Sequence, residues 1–149
     1  MTDAVKCTML PLSKEQNLVL PSTSLAEIVK NRSDMLVMGA REGVIGKIQW
    51  RGRSVPLVSY EATIGQAIPS YGKEACIAVV FTPSGDASLP YIAFNIQGSP
   101  KLAELSDSNV VSVDGEEHAL VSSYIEIDGA KGIIPNLQAL EPFVKMRVN

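Results

Sequence analysis

Histidine and cysteine are scarce in this chain of 149 residues, which carries one His and two Cys. A structural zinc site needs four closely spaced Cys or His ligands, and His118 has neither a cysteine nor a second histidine near it in sequence. Zinc is therefore excluded as a folding device. Cys7 and Cys76 each stand in an apolar, strand-like segment, the setting of buried reduced thiols in a cytosolic protein rather than of a disulfide framework. Long apolar runs are also missing. The longest, residues 75–81, has seven residues, against the roughly 20 that a membrane helix requires, so no direct membrane insertion is expected. The first six residues, Met1-Thr2-Asp3-Ala4-Val5-Lys6, lack the apolar stretch of a secretory signal. A cytoplasmic location is therefore expected. Charge of one sign is not concentrated either: 13 basic and 16 acidic residues give a formal charge of −3, with no block of like charges. Binding to nucleic acid or to an acidic membrane surface needs concentrated positive potential, and no nucleic-acid partner is expected.

Catalytic motifs are missing as well. Residues 39–48 resemble a phosphate loop until the spacing is checked. Arg41 occupies the position of the first glycine, and Ile48 follows Gly46-Lys47 where a magnesium-binding hydroxyl belongs. No Gly-x-Ser-x-Gly elbow is present. His118 follows Glu116-Glu117 in a polar stretch and reads as a solvated turn residue, not as a base beside a nucleophile. Acidic residues such as Glu27, Asp34, Glu42 and Glu61 are scattered in the way any soluble domain allows. We therefore expect no enzyme activity and no cofactor.

What the chain does have is apolar content, 46% of residues, enough to fill one core across residues 1–149 as a single domain. Strand signals recur at residues 5–12, 18–20, 45–50, 55–58, 75–81, 89–96, 101–105, 110–113 and 120–127, with polar or Gly-containing turns between them. Residues 75–81 are apolar at every position, the mark of a strand covered on both faces. Ser24 and Glu27 have the spacing of a capping box, but the segment reads as a turn running into a strand. Residues 31–42 read as a loop, 61–65 as a brief helical turn, and 66–74 as a connection. Pro135-Asn136 offers a helix start, and Leu137, Leu140 and Val144 lie at helical spacing behind it. No internal repeat and no low-complexity segment is present. The expected class is all-β, a barrel or sandwich closed by a short C-terminal helix.

The densest signal is the segment from Gly46 to Tyr60. Ile48 and Trp50 alternate with Gln49, Val55 and Leu57 alternate with Pro56 and Val58, and Arg51-Gly52-Arg53 between them provides the reversal. Pro56 cannot donate a ladder hydrogen bond, which predicts an edge strand or an amide position facing away from a neighbour, and argues against a central strand.

This segment resembles the signature of the CheW-like coupling proteins of bacterial chemosensory arrays. The matching residues are Gly46, Arg51-Gly52, Val55-Pro56-Leu57-Val58 and Gly65, with Leu25-Ala26-Glu27-Ile28-Val29 as the upstream Val-x-Glu-Ile-like segment. Ser59-Tyr60 stands where the family usually has Asp-Leu, and Asn95 where an Asp is common. The resemblance implies two small five-stranded SH3-like barrels sharing one core. It also implies a non-catalytic adaptor whose partners are the regulatory domain of a CheA-type histidine kinase and the cytoplasmic tip of a methyl-accepting chemoreceptor. Glu27 and Arg51 would form an ion pair near the receptor-facing groove, with Gly52 and Arg53 completing the partner-binding set. The Ser59-Tyr60-Glu61 variation resembles the adaptors of pilus-linked, ChpC-type systems, which control twitching motility. The alternative is a small β-barrel enzyme or ligand-binding barrel with a pocket between its sheets.

Overall fold

The computed structural model describes residues 5–30 and 35–148, without the side chains of 35–41. Its strands are β1 (Val5–Pro11), β2 (Gln16–Pro21), β3 (Leu25–Val29), β4 (Met35–Arg41), β5 (Val44–Trp50), β6 (Arg53–Val58), β7 (Cys76–Phe81), β8 (Tyr91–Ile96), β9 (Lys101–Leu105), β10 (Val110–Ser112), β11 (Val121–Ile127) and β12 (Ala130–Pro135). Helix α1 (Tyr60–Thr63) is a single turn, and α2 (Leu137–Lys145) lies near the C-terminus. The strands form two six-stranded sheets, ordered β10-β11-β12-β2-β1-β9 and β3-β7-β8-β6-β5-β4. Class, two-sheet architecture and terminal helix are those the sequence leads one to expect, with six strands in each sheet where the resemblance implies five.

Strand periodicity explains how two sheets make one body. Alternate residues on a strand face opposite sides, and here both sides are buried. On β7, Ile77 and Val79 enter a cluster with Ile48, Trp50, Val55, Leu57 and Ala93, enclosed by the second sheet. Their neighbours Cys76, Ala78 and Val80 face the other way, into a larger cluster with Leu10, Leu18, Leu20, Tyr60, Phe94 and Leu140 that both sheets share. The first sheet repeats the pattern: Cys7, Met9, Val19, Ile125 and Ile127 fill its own interior, while Leu10, Leu18 and Leu20 join the shared core. An apolar residue at every position of 75–81 is thus what a strand between two cores requires.

Two sequence expectations are corrected. Within residues 31–42, read as a loop, Met35–Arg41 is a strand paired antiparallel with β5. Ladder pairing outweighs the weak local pattern there, and the hairpin closes through Glu42 and Gly43, both at positive φ; residues 31–34 lie outside the described residues. The strand that carries Pro56 is interior, between β5 and β8, and not an edge. Pro56 lies opposite Lys47 of β5, but the parallel ladder to β8 begins only at Leu57↔Ala93. The missing N–H therefore removes no bond from that ladder. The capping-box spacing at Ser24 produces no side-chain cap; Ser22–Ser24 is a 3-10 turn that runs into β3.

Helix α2 starts where the sequence places it, with the Asn136 side chain accepting the Ala139 N–H at 3.1 Å. Leu140 and Val144 point into the shared core and are fully buried. On its other side α2 is tied to the second sheet's turns by three polar links. Glu141 accepts from the Ser84 backbone N–H and hydroxyl, Lys145 Nζ meets Asp86 at 2.5 Å, and Arg147 pairs with Glu42. Lys145, with the Ser88 N–H and hydroxyl behind it, lowers the Asp86 carboxyl from the ordinary 3.8 to about 2. A carboxyl depressed in the folded state contributes stability above its unfolded pKa and loses it as pH falls through the folded value. Thermal melts should therefore show wild-type stability declining as pH drops from about 4 to about 2, and Asp86→Asn should show a shallower decline. Parallel acid limbs in both proteins would mean that Asp86 is not a source of the acid sensitivity.

Candidate partner-binding site

Strands β5 and β6 are joined by Arg51 and Gly52, with Trp50 and Arg53 paired across the turn. Both turn residues have positive φ, 49° and 74°, the two-residue hairpin whose twist matches that of the flanking strands. Gly52 has open space around the position of a Cβ, so glycine serves the backbone conformation there and not a close approach. Positive φ also occurs at Lys14, Glu15, Glu42 and Asp128 in other turns, so backbone conformation alone does not mark Arg51. Its contacts do.

The Arg51 Nη2 donates to Glu27 Oε1 at 2.8 Å, with the two side chains 69% and 39% exposed. Its guanidinium also lies 4.9 Å from the Trp50 ring. Glu27 sits on β3, opposite Val79 of β7, just after a register shift that follows Leu25. Strands β3 and β5 are not hydrogen-bonded neighbours. The sheet curls around its own apolar cluster, Ala26 and Val29 of β3 pack against it, and the curl carries the edge strand to the hairpin tip. Two donors act on the Glu27 carboxyl, the Arg51 guanidinium foremost and the Trp50 indole second, and hold it below the ordinary 4.5. The indole acts from beyond regular hydrogen-bond geometry, since buried Trp50 Nε1 makes no hydrogen bond that meets distance and angle limits.

Trp50 is 7% exposed and supports the site from below. Its ring meets Tyr91 edge-on at 4.7 Å between centroids, and Arg53 lies 6.0 Å from the same Tyr91 ring. All four sequence-predicted site residues, Glu27, Arg51, Gly52 and Arg53, thus stand at one end of the second sheet. Sequence reasoning missed Tyr91 and Phe81, which pair directly across β7 and β8. The available signal was an apolar run ending in an aromatic residue, with another aromatic opening the following strand.

The departures from Asp-Leu turn out to be interior. Ser59 caps α1 by accepting the Ala62 N–H at 3.4 Å, and the Tyr60 hydroxyl donates to the Leu120 carbonyl at 2.8 Å. Glu61, 1% exposed, accepts the Ser13 N–H at 2.8 Å and so holds the β1–β2 turn. The serine oxygen takes the capping position that a carboxylate could fill. Asn95 is likewise buried, on β8.

Other candidates for chemistry lie apart from this site. His118 is exposed, and its Nδ1 accepts the Leu120 N–H at 3.1 Å. It borders an open depression of about 710 Å³ also lined by Ser112, Asp114 and Tyr124. Cys7 and Cys76 are free and buried, and burial pushes the Cys7 thiol up. Among the described residues there is no group of three or more His, Cys, Asp or Glu side chains placed to hold a metal ion, and no helix is long and apolar enough to cross a membrane. The arrangement at the hairpin tip offers a cation held by a carboxylate, a second cation with no carboxylate in ion-pair distance among the described residues, and aromatic faces.

No curated protein matches the chain in sequence. Among solved structures, the scaffolding protein TtCheW from Thermoanaerobacter tengcongensis is similar in fold, with a TM-score of 0.73, 17% identity, and coverage of 93% of this chain and 88% of that one. The profile of the CheW-like domain matches residues 7–141. With nearly the whole of its two-sheet body inside that match, the chain belongs to the CheW-like family of non-catalytic scaffold and adaptor proteins.

Proposed function

We propose that the protein is a cytoplasmic adaptor of a bacterial chemosensory array. It joins the regulatory domain of a CheA-type histidine kinase to the cytoplasmic tip of a methyl-accepting chemoreceptor, without inserting into the membrane itself. The observation that carries this reading is the Glu27–Arg51 pair over Trp50. A guanidinium is a planar fork with several donors. Held by one carboxylate and one ring, it keeps donors free for a partner while losing little further freedom on binding. Such an adaptor transmits signal by differential affinity, because a receptor state biases the kinase only if the bridging contacts differ between states.

Titration of the purified protein against the kinase regulatory domain and the receptor tip, separately and together, tests this. Binding to each partner and a ternary complex are expected. Binding to one partner alone would make the protein a one-surface inhibitor of the array, and binding to neither would overturn the reading. For the output, we infer type IV pilus control, on the Ser59-Tyr60-Glu61 variation. Deletion of the gene should then abolish twitching and leave flagellar swimming unchanged.

A further inference from the structure

Strand β9 is an edge of the first sheet, paired on one side with β1 and on the other with no strand among the described residues. It carries Leu102, which at 84% exposure is the barest large apolar side chain among them. The ladders show which of its backbone groups are open. Successive residues of a strand turn their N–H and C=O to alternate sides. The Leu12 N–H bonds to the Gln16 carbonyl at 2.8 Å in the register of β1 with β2, so even-numbered residues of β1 turn toward β2 and odd-numbered ones toward β9. Pro11 and Pro21 agree with this, since both fall on pairs of β1 with β2 that exchange no bonds. On β9, Lys101, Ala103 and Leu105 therefore bond to β1, and Leu102 and Glu104 face the open side. There the Asn109 Nδ2 donates to the Glu104 carbonyl at 2.8 Å.

An open edge is a template for another strand, and this one is complementary to itself in one register. We infer that β9 pairs antiparallel with β9 of a second copy of this chain, Leu102 opposite Leu102 across a two-fold axis, which joins the two first sheets into one. Each Leu102 then donates to and accepts from the other, and each Glu104 N–H donates to the second copy's Pro100 carbonyl. The only ladder bond left out would run from the N–H of residue 100 to the Glu104 carbonyl. Proline has no such N–H, and that carbonyl is already served by Asn109, so the missing donor meets the occupied acceptor. Neighbouring registers fail. With Ala103 opposite itself, Leu102 must donate to the occupied Glu104 carbonyl; slips to either side set Lys101 against Lys101 or Glu104 against Glu104, and like charges directly opposite destabilise a sheet. In the favoured register the two bare leucines cover each other, Lys101 faces Ala103, and Glu104 faces Pro100 while standing opposite Lys6 of its own β1. A two-fold contact uses up both edges, so it closes as a dimer and builds no fibre. Pairing of copies lies beyond the adaptor reading, and neither depends on the other.

The test is sedimentation equilibrium of wild type, Leu102→Lys and Leu102→Glu over a range of concentrations, singly and as an equal mixture of the two variants. Wild type should dimerise reversibly. Each variant alone sets like charges opposite each other, and its dimer dissociation constant should rise at least about tenfold; the mixture, with opposite charges across the axis, should recover association. Cysteine cross-linking under a mild oxidant checks the register, since Cys7 and Cys76 are buried. Leu102→Cys should link, because directly opposed bonded residues have Cα atoms about 5.5 Å apart, within disulfide reach. Glu104→Cys should not, because its two copies stand more than about 10 Å apart along the paired strands. A wild type that stays monomeric at its highest soluble concentration, a dimer indifferent to Leu102→Lys, or equal cross-linking at both positions would overturn the inference. Titrations against kinase and receptor decide the adaptor reading separately. Leu102 is exposed, so a melt of each variant should match wild type, and if one melts early the cross-linking decides.

Discussion

Tyr60→Ala is expected to remove about 3–5 kcal/mol of folding stability, the range for deleting a large buried ring, against a total of about 5–15 kcal/mol for a domain. Tyr60 is fully buried in the core the two sheets share, edge-on to Phe94 at 6.2 Å between centroids. Its hydroxyl reaches from α1, beside the second sheet, to the Leu120 carbonyl at the start of β11 in the first, at 2.8 Å. Truncation thus empties the joint between the sheets and removes one of two donors to that carbonyl, which keeps the Asn136 N–H at 2.9 Å. Tyr60→Phe keeps the ring and loses only the hydrogen bond, for about 0.5–1.5 kcal/mol, since the Leu120 carbonyl still accepts the Asn136 N–H. Urea denaturation of the three proteins at neutral pH measures both steps. A loss below about 1 kcal/mol for the alanine variant, well under the cavity range, would show that the joint closes around the gap.

The same phenol makes an alkaline prediction. Burial, with the nearby Tyr124 adding to it, raises its pKa well above the ordinary 10. A raised folded pKa contributes stability that is complete below the unfolded value and is lost as pH climbs above it. Wild-type stability should therefore fall above about pH 10, and Tyr60→Phe should show a smaller fall.

Arg51→Ala is expected to leave folding nearly unchanged and to cost affinity. An exposed ion pair contributes only about 0–1 kcal/mol to stability, and with Arg51 69% exposed the lower end applies. Once a partner covers the pair, removal of one member leaves the other charge buried without its counterpart, at about 2–5 kcal/mol in binding. Glu27→Ala should weaken binding for the reciprocal reason. The double variant should lose less than the sum of the two, the sign of direct coupling. Arg51→Lys keeps the charge but not the fork, and should fall between wild type and alanine. Titration against both proposed partners beside a thermal melt separates the effects. Unchanged affinity would return Arg51 to a solvated turn, and a large drop in melting temperature would make it structural.

Most strands were legible because their signals are local. Alternation, turn residues and the Asn136 start of α2 act within a few residues of one another, and the hairpin at Arg51-Gly52 could be placed before its neighbours were known. The strand at Met35–Arg41 was not legible, since its evidence is a ladder to β5 and its own residues lack a clean period. The interior position of Pro56 was missed for a related reason. A residue type states what it cannot donate, but not which neighbour stands on that side.

For this protein the order of nearby residues by itself determined the β class, the hairpin that carries Arg51 and Arg53, the closing helix, and the absence of the cysteine and histidine sets that zinc would need. Only the tertiary structure decided that alternate faces of the same strands serve two cores. It also decided that Ser59, Tyr60 and Glu61 work inside the body, and that Glu27 meets Arg51 although their strands never pair. The physical reason is range. Turn chemistry and periodicity are set by neighbours along the chain, whereas burial and ion pairing depend on how a whole sheet curls, and that is fixed by all of its strands together.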